Sequence, residues 1–199
     1  MSKSLPATPA LILASGSRYR RELLKRLGVP FRSLSPGVDE TALPGEPPRE
    51  TAVRLARLKA LAGGKRHSQA WIIGSDQVAD LDGRAMGKPG TVENAREQLR
   101  EASGHSVLFH TALCLWHARE ERRHERLVTT EVSFRRLTEA EIDRYLERED
   151  ALDCAGSAKA EGLGISLLAR MTGEDPTALI GLPLIALSAL LRAEGFDVP

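Results

Sequence analysis

Hydroxyl and guanidinium side chains gather at the end of a short apolar run near the start of the sequence. Residues 10–14 are followed by Ser15, a glycine, Ser17 and then Arg20 and Arg21. If a helix begins after Ser17, its free backbone N–H groups and positive dipole end would favour phosphate, assisted by both hydroxyls and both arginines. The spacing is not that of a Walker A loop. The alternative is that Ser17 only caps the helix and that the arginines face water.

Two acidic positions could serve a phosphate-binding site. Asp76 comes at the end of an apolar run, so it lies at a strand terminus, in a cleft, or buried beside a partner. A carboxylate there could hold a divalent cation or take a proton from water. Glu40, preceded by Asp39 in a Pro-rich loop, offers the hard oxygen atoms that Mg²⁺ prefers. The alternatives are a turn aspartate bonded to backbone and a solvated acidic loop.

Two lysines could add positive charge to such a site. Lys59 lies in a predicted helix, and Lys88 lies between a glycine and a proline that stiffen a loop. A lysine in a stiff loop can present a point charge to phosphate, although either lysine alone could equally be a surface residue. Residues 154–162 are either a plain Gly-rich turn or a loop that wraps a ligand with Ser157 and Glu161.

Predicted strands and helices alternate along the chain, an order that favours an α/β fold. The predicted strands are 10–14, 31–34, a central strand from 71, 106–116 and 127–134. The predicted helices are 18–27, 49–64, 91–102, 138–148 and 181–195, the second ending at Gly63-Gly64. Because no break resembles a flexible linker, we expect one domain with two lobes over residues 10–196, preceded by a short N-terminal extension, residues 1–9.

Charge and cysteine content restrict the function classes. The chain has 28 Lys and Arg against 27 Asp and Glu, a net charge of +1, whereas a protein held to nucleic acid by bulk charge would be more basic. Cys114 and Cys154 form no CxxC pair, which favours a reducing cytoplasm. Residues 1–9 lack the apolar stretch of a signal peptide, and no run approaches the roughly 18 apolar residues of a membrane span. We therefore expect a cytoplasmic protein with no nucleic-acid or membrane partner.

Taken together, these segments resemble the Maf family of nucleotide pyrophosphatases. One such block would be weak evidence, but the blocks occur in the family's order and span about Leu11 to Gly195, which makes the set highly specific. The matching blocks are Leu13–Leu24, Val38-Asp39-Glu40, Leu58-Lys59-Ala60, Ile73–Gln77, Gly87-Lys88-Pro89, Cys154–Ser157, Glu161-Gly162 and Gly181-Leu182-Pro183.

The resemblance implies a Maf/ITPase-like α/β fold, in which a mixed, curved sheet and flanking helices enclose a central cleft between two lobes. It implies a hydrolase acting on phosphorus-containing anhydrides, which cuts a nucleoside triphosphate between its α and β phosphates with Mg²⁺ or Mn²⁺ as cofactor. Matched residue by residue, Asp76 is the expected catalytic proton acceptor, and Glu40 and Asp76 are the expected metal ligands. The expected substrate- and phosphate-binding residues are Ser15, Ser17, Arg20, Arg21, Lys59 and Lys88.

Within the family, Ser75-Asp76-Gln77 resembles the branch that hydrolyses 7-methyl-GTP to 7-methyl-GMP and diphosphate, a house-cleaning reaction on modified nucleotides. The positions that tune base choice fall on Tyr19, Gln77 and Glu161. Tyr19 stands where this branch typically has Trp, and its ring keeps an aromatic face for the cationic 7-methylguanine. The alternatives are a dTTP/UTP pyrophosphatase of the same family and a non-enzymatic, nucleotide-sensing regulator of septum formation. The resemblance also allows a homodimer.

Overall fold

Strands and helices alternate along most of the chain in a computed structural model that describes residues 10–199; the extension expected over residues 1–9 lies outside the described residues. The strands are β1 (Leu11–Ala14), β2 (Arg32–Leu34), β3 (Trp71–Leu81), β4 (Arg84–Met86), β5 (Ser106–His117), β6 (Arg122–Phe134) and β7 (Leu168–Thr172). The helices are α1 (Arg18–Lys25), α2 (Pro48–Arg66), α3 (Val92–Ala102), α4 (Glu139–Arg148) and α5 (Leu184–Ala193). No helix within residues 10–199 is long and apolar enough to cross a membrane.

The strands form one open, mixed sheet. Within the described residues it has seven strands in the order β2-β1-β3-β5-β6-β7, with β4 paired to β3. β1 runs parallel to both β2 and β3, whereas β3, β5, β6 and β7 pair antiparallel. Five helices flank this sheet over the same residues, which confirms the predicted α/β fold. Asp76 pairs with Ala112 in the interior of the β3–β5 ladder, so it belongs to the middle of a central strand.

Several helix starts and one turn are stabilised by contacts between residues that lie close together in the chain. Thr138 and Glu141 form both halves of a capping box at the start of α4. The Thr91 hydroxyl caps α3 by accepting from a backbone N–H. The turn between β3 and β4 places Asp82 and Gly83 at positive φ, as two-residue hairpin turns require.

Helix α2 is longer than the glycine pair at its C-terminal end predicts. It continues through Gly63 and Gly64 to Arg66 instead of stopping there. A Cβ atom on Gly63 would lie 2.6 Å from the Ile72 side chain, and one on Gly64 would lie 2.6 Å from the Trp116 indole nitrogen. The two glycines therefore allow α2 to pack closely on the sheet; they do not end the helix.

Strand β7 has no counterpart among the predicted elements. It pairs with β6 at the edge of the sheet, and its residues beyond Leu168 are exposed. A short strand exposed on both faces has no alternating apolar pattern, so sequence periodicity could not identify it.

Alternation along β3 decides which side chains reach each face of the sheet. Ile72 packs in a buried cluster with the alanines of α2, whereas Ile73 packs in a second cluster with leucines of α1 and α5. Asp76 shares the face of Ile72, and Ser75 and Gln77 share the face of Ile73. Consecutive residues of one strand therefore serve two sides of the site.

Candidate active site

A cleft of about 800 Å³ opens along β3. Its walls come from the loop after β1, the start of α1, the β2–α2 loop, α2, the loop after β4, and residues 153–161 and 179–181. Arg21 is exposed on α1 and is not among the described residues that line the cleft. The other predicted site residues all line it: Ser15, Ser17, Tyr19, Arg20, Glu40, Lys59, Asp76, Gln77, Lys88 and Glu161.

Two carboxylates converge on one buried lysine in this cleft. The Lys59 Nζ lies 2.6 Å from the Asp76 Oδ1 and 2.9 Å from the Glu40 Oε2. The side chains of Lys59 and Asp76 are 4% and 8% exposed, whereas that of Glu40 is 54% exposed. Burial of an unpaired charge is costly, so Lys59 and Asp76 each stabilise the buried charge of the other.

Gly74 explains why Lys59 comes so close to Asp76. A Cβ atom at Gly74 would lie 2.1 Å from the Ala56 carbonyl oxygen and 2.6 Å from the Ala60 backbone nitrogen. The backbone of α2 therefore rests directly on β3 at this point. Lys59 precedes Ala60 on that helix and meets the carboxylate two residues beyond Gly74 on the same face of the strand.

The Glu40–Asp76 pair has the donor atoms that a divalent cation needs. The second oxygen of each carboxylate accepts no hydrogen bond from any residue of the described range 10–199. Mg²⁺ is commonly held by one or two carboxylates while substrate phosphates and water supply the remaining ligands. Over that same range no cluster of three or more His, Cys, Asp or Glu side chains could hold a metal ion. The residues present thus fit a cation bound jointly with a phosphate.

The predicted phosphate loop is built around Arg20. Its Nε donates to the Gly181 carbonyl at 2.7 Å, and its Nη1 donates to the Ser15 Oγ at 3.4 Å. The Ser17 Oγ accepts from the Arg20 backbone N–H, so Ser17 is the N-cap of α1. The sequence left open whether Ser17 only caps the helix or the helix start binds phosphate. Ser17 does cap α1, and this does not prevent the same helix start from binding phosphate.

Burial lowers the pKa of the Arg20 guanidinium, and the carboxylates of Asp76 and Glu40 oppose that shift. Because the ordinary pKa of arginine exceeds 12, the group stays protonated at neutral pH. Arg20 is thus a fixed positive charge, anchored by a backbone carbonyl, that faces the same cleft as the two carboxylates.

Gln77 is oriented by backbone carbonyls on the opposite face of β3. Its Nε2 lies within 2.9 Å of the carbonyl oxygens of Ala178 and Leu179 and of the Thr111 Oγ1. Two carbonyl partners require that the amide nitrogen, not the oxygen, points towards them. No group among residues 10–199 donates to the Gln77 Oε1. Because Gln77 also lines the cleft, its Oε1 is available as an acceptor for a ligand there.

Tyr19 forms a polar cluster at the cleft wall. Its hydroxyl donates to the Asp153 Oδ1 at 2.9 Å and accepts from Arg18 at 2.7 Å. The Arg18 guanidinium carbon also lies 4.8 Å from the centroid of the Tyr19 ring. Burial raises the pKa of the Tyr19 hydroxyl and raises the pKa of the neighbouring Cys154 thiol to about 12. Both groups are therefore protonated at neutral pH.

The segment 154–162 contributes one of its two candidate residues to the cleft. Glu161 is exposed and lines the cleft. The Ser157 hydroxyl instead donates to the Gln98 side chain, and its carbonyl accepts from the Tyr145 hydroxyl. Ser157 is fully buried and holds the segment against α3 and α4, which is a structural role.

A half-buried ion pair anchors the loop that carries Glu40. Arg54 on α2 makes two hydrogen bonds, of 2.6 and 2.7 Å, to the Glu46 carboxylate, and it also donates to the Thr41 carbonyl. Glu46 further accepts from the Leu43 N–H and the Thr51 hydroxyl. These contacts lower the pKa of Glu46 to about 2, and the hydrogen bonds from Arg54 are the largest single cause of that shift.

Sequence reasoning missed three cleft residues that the structure brings to Tyr19 and Arg20. Arg18 and Asp153 contact Tyr19, and the Gly181 carbonyl holds Arg20. Asp153 is 134 positions from Tyr19 in the chain, so no local spacing could identify it. The φ of +119° at Gly181 explains why glycine stands there, but this conformation is not visible in the sequence.

Comparison with known proteins gives a consistent result. The sequence profile of the family described as "Maf-like protein" matches residues 10–194. A protein of Xanthomonas axonopodis pv. citri named "7-methyl-GTP pyrophosphatase" is 58% identical over 191 residues, 96% of this chain and 100% of that protein. Proteins with the same name are 54% identical in Burkholderia thailandensis, over 100% of this chain and 95% of that protein, and in Thiobacillus denitrificans, over 96% and 95%.

Proposed function

This chain belongs to the Maf-like protein family, and we propose that it hydrolyses 7-methyl-GTP to 7-methyl-GMP and diphosphate. The single observation that carries the proposal is the cleft itself, in which a buried, lysine-paired carboxylate, an anchored arginine and an amide acceptor line one cavity. The relatives named 7-methyl-GTP pyrophosphatase support the choice of substrate, because this chain matches them over nearly their whole length.

Phosphate binding falls to the cationic wall of the cleft. Arg20 would offer its guanidinium to the triphosphate beside the Ser15 hydroxyl, and the free N–H groups at the start of α1 would add further donors. Lys88, exposed in the loop after β4, would contact the outer phosphates as a point charge. Arg21 would act only by its longer-range charge, because it does not line the cleft.

Asp76 is the proposed proton acceptor. Its Oδ1 is held by Lys59, which leaves Oδ2 to orient a water molecule and to take its proton. As that water attacks phosphorus, the anhydride bond between the α and β phosphates would break, which gives 7-methyl-GMP and diphosphate. A divalent cation such as Mg²⁺ or Mn²⁺, held by Glu40 and Asp76 with the phosphates, would supply electrostatic stabilisation of the charge that develops on the phosphate oxygens. Lys59 would hold Asp76 in place through the 2.6 Å contact and would contribute its own positive charge.

The base would lie against Tyr19, Gln77 and Glu161. A guanine edge presents N–H groups that can donate hydrogen bonds to the Gln77 Oε1 and to the Glu161 carboxylate. A methylated, cationic guanine would be bound more tightly by the Tyr19 ring and by nearby carboxylates.

We also propose a single catalytic domain over residues 10–196 and a homodimer as the assembly to be tested. The proposed location is the cytoplasm, in keeping with the free Cys114 and Cys154.

A substrate panel tests this proposal. The purified protein is incubated with Mg²⁺ or Mn²⁺ and with 7-methyl-GTP, GTP, CTP, UTP or dTTP, and kcat/KM is measured for each. The proposal expects the highest value with 7-methyl-GTP. A higher value with UTP or dTTP would assign the chain to the other branch of the family, and nucleotide binding without turnover would favour the regulatory alternative.

A further inference from the structure

A planar cation already occupies an aromatic and acidic site at the cleft wall. The Arg18 guanidinium lies over the Tyr19 ring, with 4.8 Å between the guanidinium carbon and the ring centroid. Its Nη2 lies 3.6 Å from a carboxylate oxygen of Asp153 and 3.7 Å from one of Asp150. Arg18, Tyr19 and Asp153 all line the cleft, whereas Asp150 stands outside it.

The chemistry of this cluster suits a second kind of planar cation. An aromatic face combined with carboxylates recognises delocalised positive charge, whether on a guanidinium or on a methylated heterocycle. The Tyr19 hydroxyl is fixed by its hydrogen bond to Asp153, so the ring is held in one orientation. Arg18 is 57% exposed at its side chain, and exposed ion pairs of this kind are weak enough to exchange partners.

We propose that Asp153 and Arg18 set the selectivity of the site for a cationic over a neutral purine. Asp153 attracts the positive charge of a 7-methylated base, and Arg18 competes with that base for the same ring and the same carboxylate. The two residues therefore act in opposite directions on one property, the ratio of kcat/KM for 7-methyl-GTP to that for GTP. The inference rests on the proposed function, because it concerns the base-binding end of the same cleft.

Two charge-neutralising variants test this directly. Asp153→Asn keeps an acceptor for the Tyr19 hydroxyl but removes the negative charge, so the ratio should fall about two- to fivefold, the range of a single exposed charge contact. Arg18→Gln removes the competing cation, so the ratio should rise by a similar factor. Both effects should appear in KM and not in kcat, because the base lies away from the reacting phosphorus.

Matched controls separate local contact from net charge. Glu147→Gln on α4 and Arg26→Gln after α1 change exposed residues that do not line the cleft, and they should leave the ratio unchanged.

The possible outcomes separate a failure of the selectivity inference from a failure of the proposed function. Opposite shifts for Asp153→Asn and Arg18→Gln, absent from both controls, support it. If the unmodified protein hydrolyses 7-methyl-GTP and both variants keep its ratio, the selectivity inference is wrong and the proposed function stands. If the unmodified protein does not turn over 7-methyl-GTP, the proposed function itself fails.

Discussion

Replacing Lys59 with methionine should expose the cost of burying Asp76. Methionine keeps the aliphatic length of lysine but removes the ammonium that lies 2.6 Å from the Asp76 Oδ1. Lys59 and Asp76 are 4% and 8% exposed, so the protein shields most of the contact between the ammonium and Oδ1 from water. Removal of one member of such a buried pair typically destabilises a protein by about 3–5 kcal/mol. The exposed Glu40 should add little to that figure.

Urea unfolding at neutral pH measures this effect. With an m-value of about 2 kcal/mol per molar, typical of a chain of this size, the midpoint should fall by about 1.5–2.5 M. Lys65→Met, on an exposed turn of the same helix, should change the free energy of unfolding by no more than about 0.5 kcal/mol. It therefore controls for the loss of charge and for the helix propensity of methionine.

The double variant Lys59→Met/Asp76→Asn provides the sharper comparison. Because it removes both charges, it should be destabilised by about 1–3 kcal/mol less than the sum of the two single variants. Two results would refute the view that the two residues depend on each other for their burial. One is strict additivity of the two single-variant changes in the free energy of unfolding, and the other is a decrease of less than about 1 kcal/mol in the free energy of unfolding of Lys59→Met alone.

Three further predictions follow from the site. Asp76→Asn should lower turnover at least ~10²-fold with little change of shape, measured by steady-state kinetics, and near-normal turnover would rule out its assigned role. Gly74→Ala should destabilise the fold by about 1–3 kcal/mol and lower kcat by roughly 10²-fold, because its Cβ would push α2 and Lys59 away from β3; an unchanged melting temperature would contradict this packing. At pH 7, Glu46→Gln should be less stable than the unmodified chain, because the lowered pKa of Glu46 stabilises the fold at pH values above the ordinary pKa of 4.5. That stabilisation disappears as the pH falls towards the pKa of about 2 in the folded protein. Urea midpoints of Glu46→Gln and the unmodified chain should therefore converge in acid, and a constant difference would contradict the linkage.

Local sequence signals were sufficient for most of the elements and for the first part of the site. The apolar run before Ser15 and the cap at Ser17 predict the strand and the helix that carry Arg20, and the structure has both. The capping box at Thr138 and the hairpin at Gly83 likewise depend on residues close together in the chain. Such features are readable because the interactions that stabilise them span only a few positions.

Contacts between distant segments could not be predicted in this way. The position of Gly63 suggested a helix end, yet the close approach of Ile72 decides its role. Nothing near Lys59 indicates that it will be buried between Glu40 and Asp76, because that depends on how α2 rests on Gly74. These features result from tertiary packing, which a single sequence does not display.

Phosphorus NMR of the products identifies which anhydride bond of 7-methyl-GTP the protein breaks. The protein, Mg²⁺ and 7-methyl-GTP are combined, and the phosphorus spectrum is followed until the substrate is consumed. Cleavage between the α and β phosphates predicts equal amounts of 7-methyl-GMP and pyrophosphate from the first time point, and their absence from Asp76→Asn over the same period. Orthophosphate accompanied by 7-methyl-GDP would contradict cleavage between the α and β phosphates, because the γ phosphate would then be the group removed.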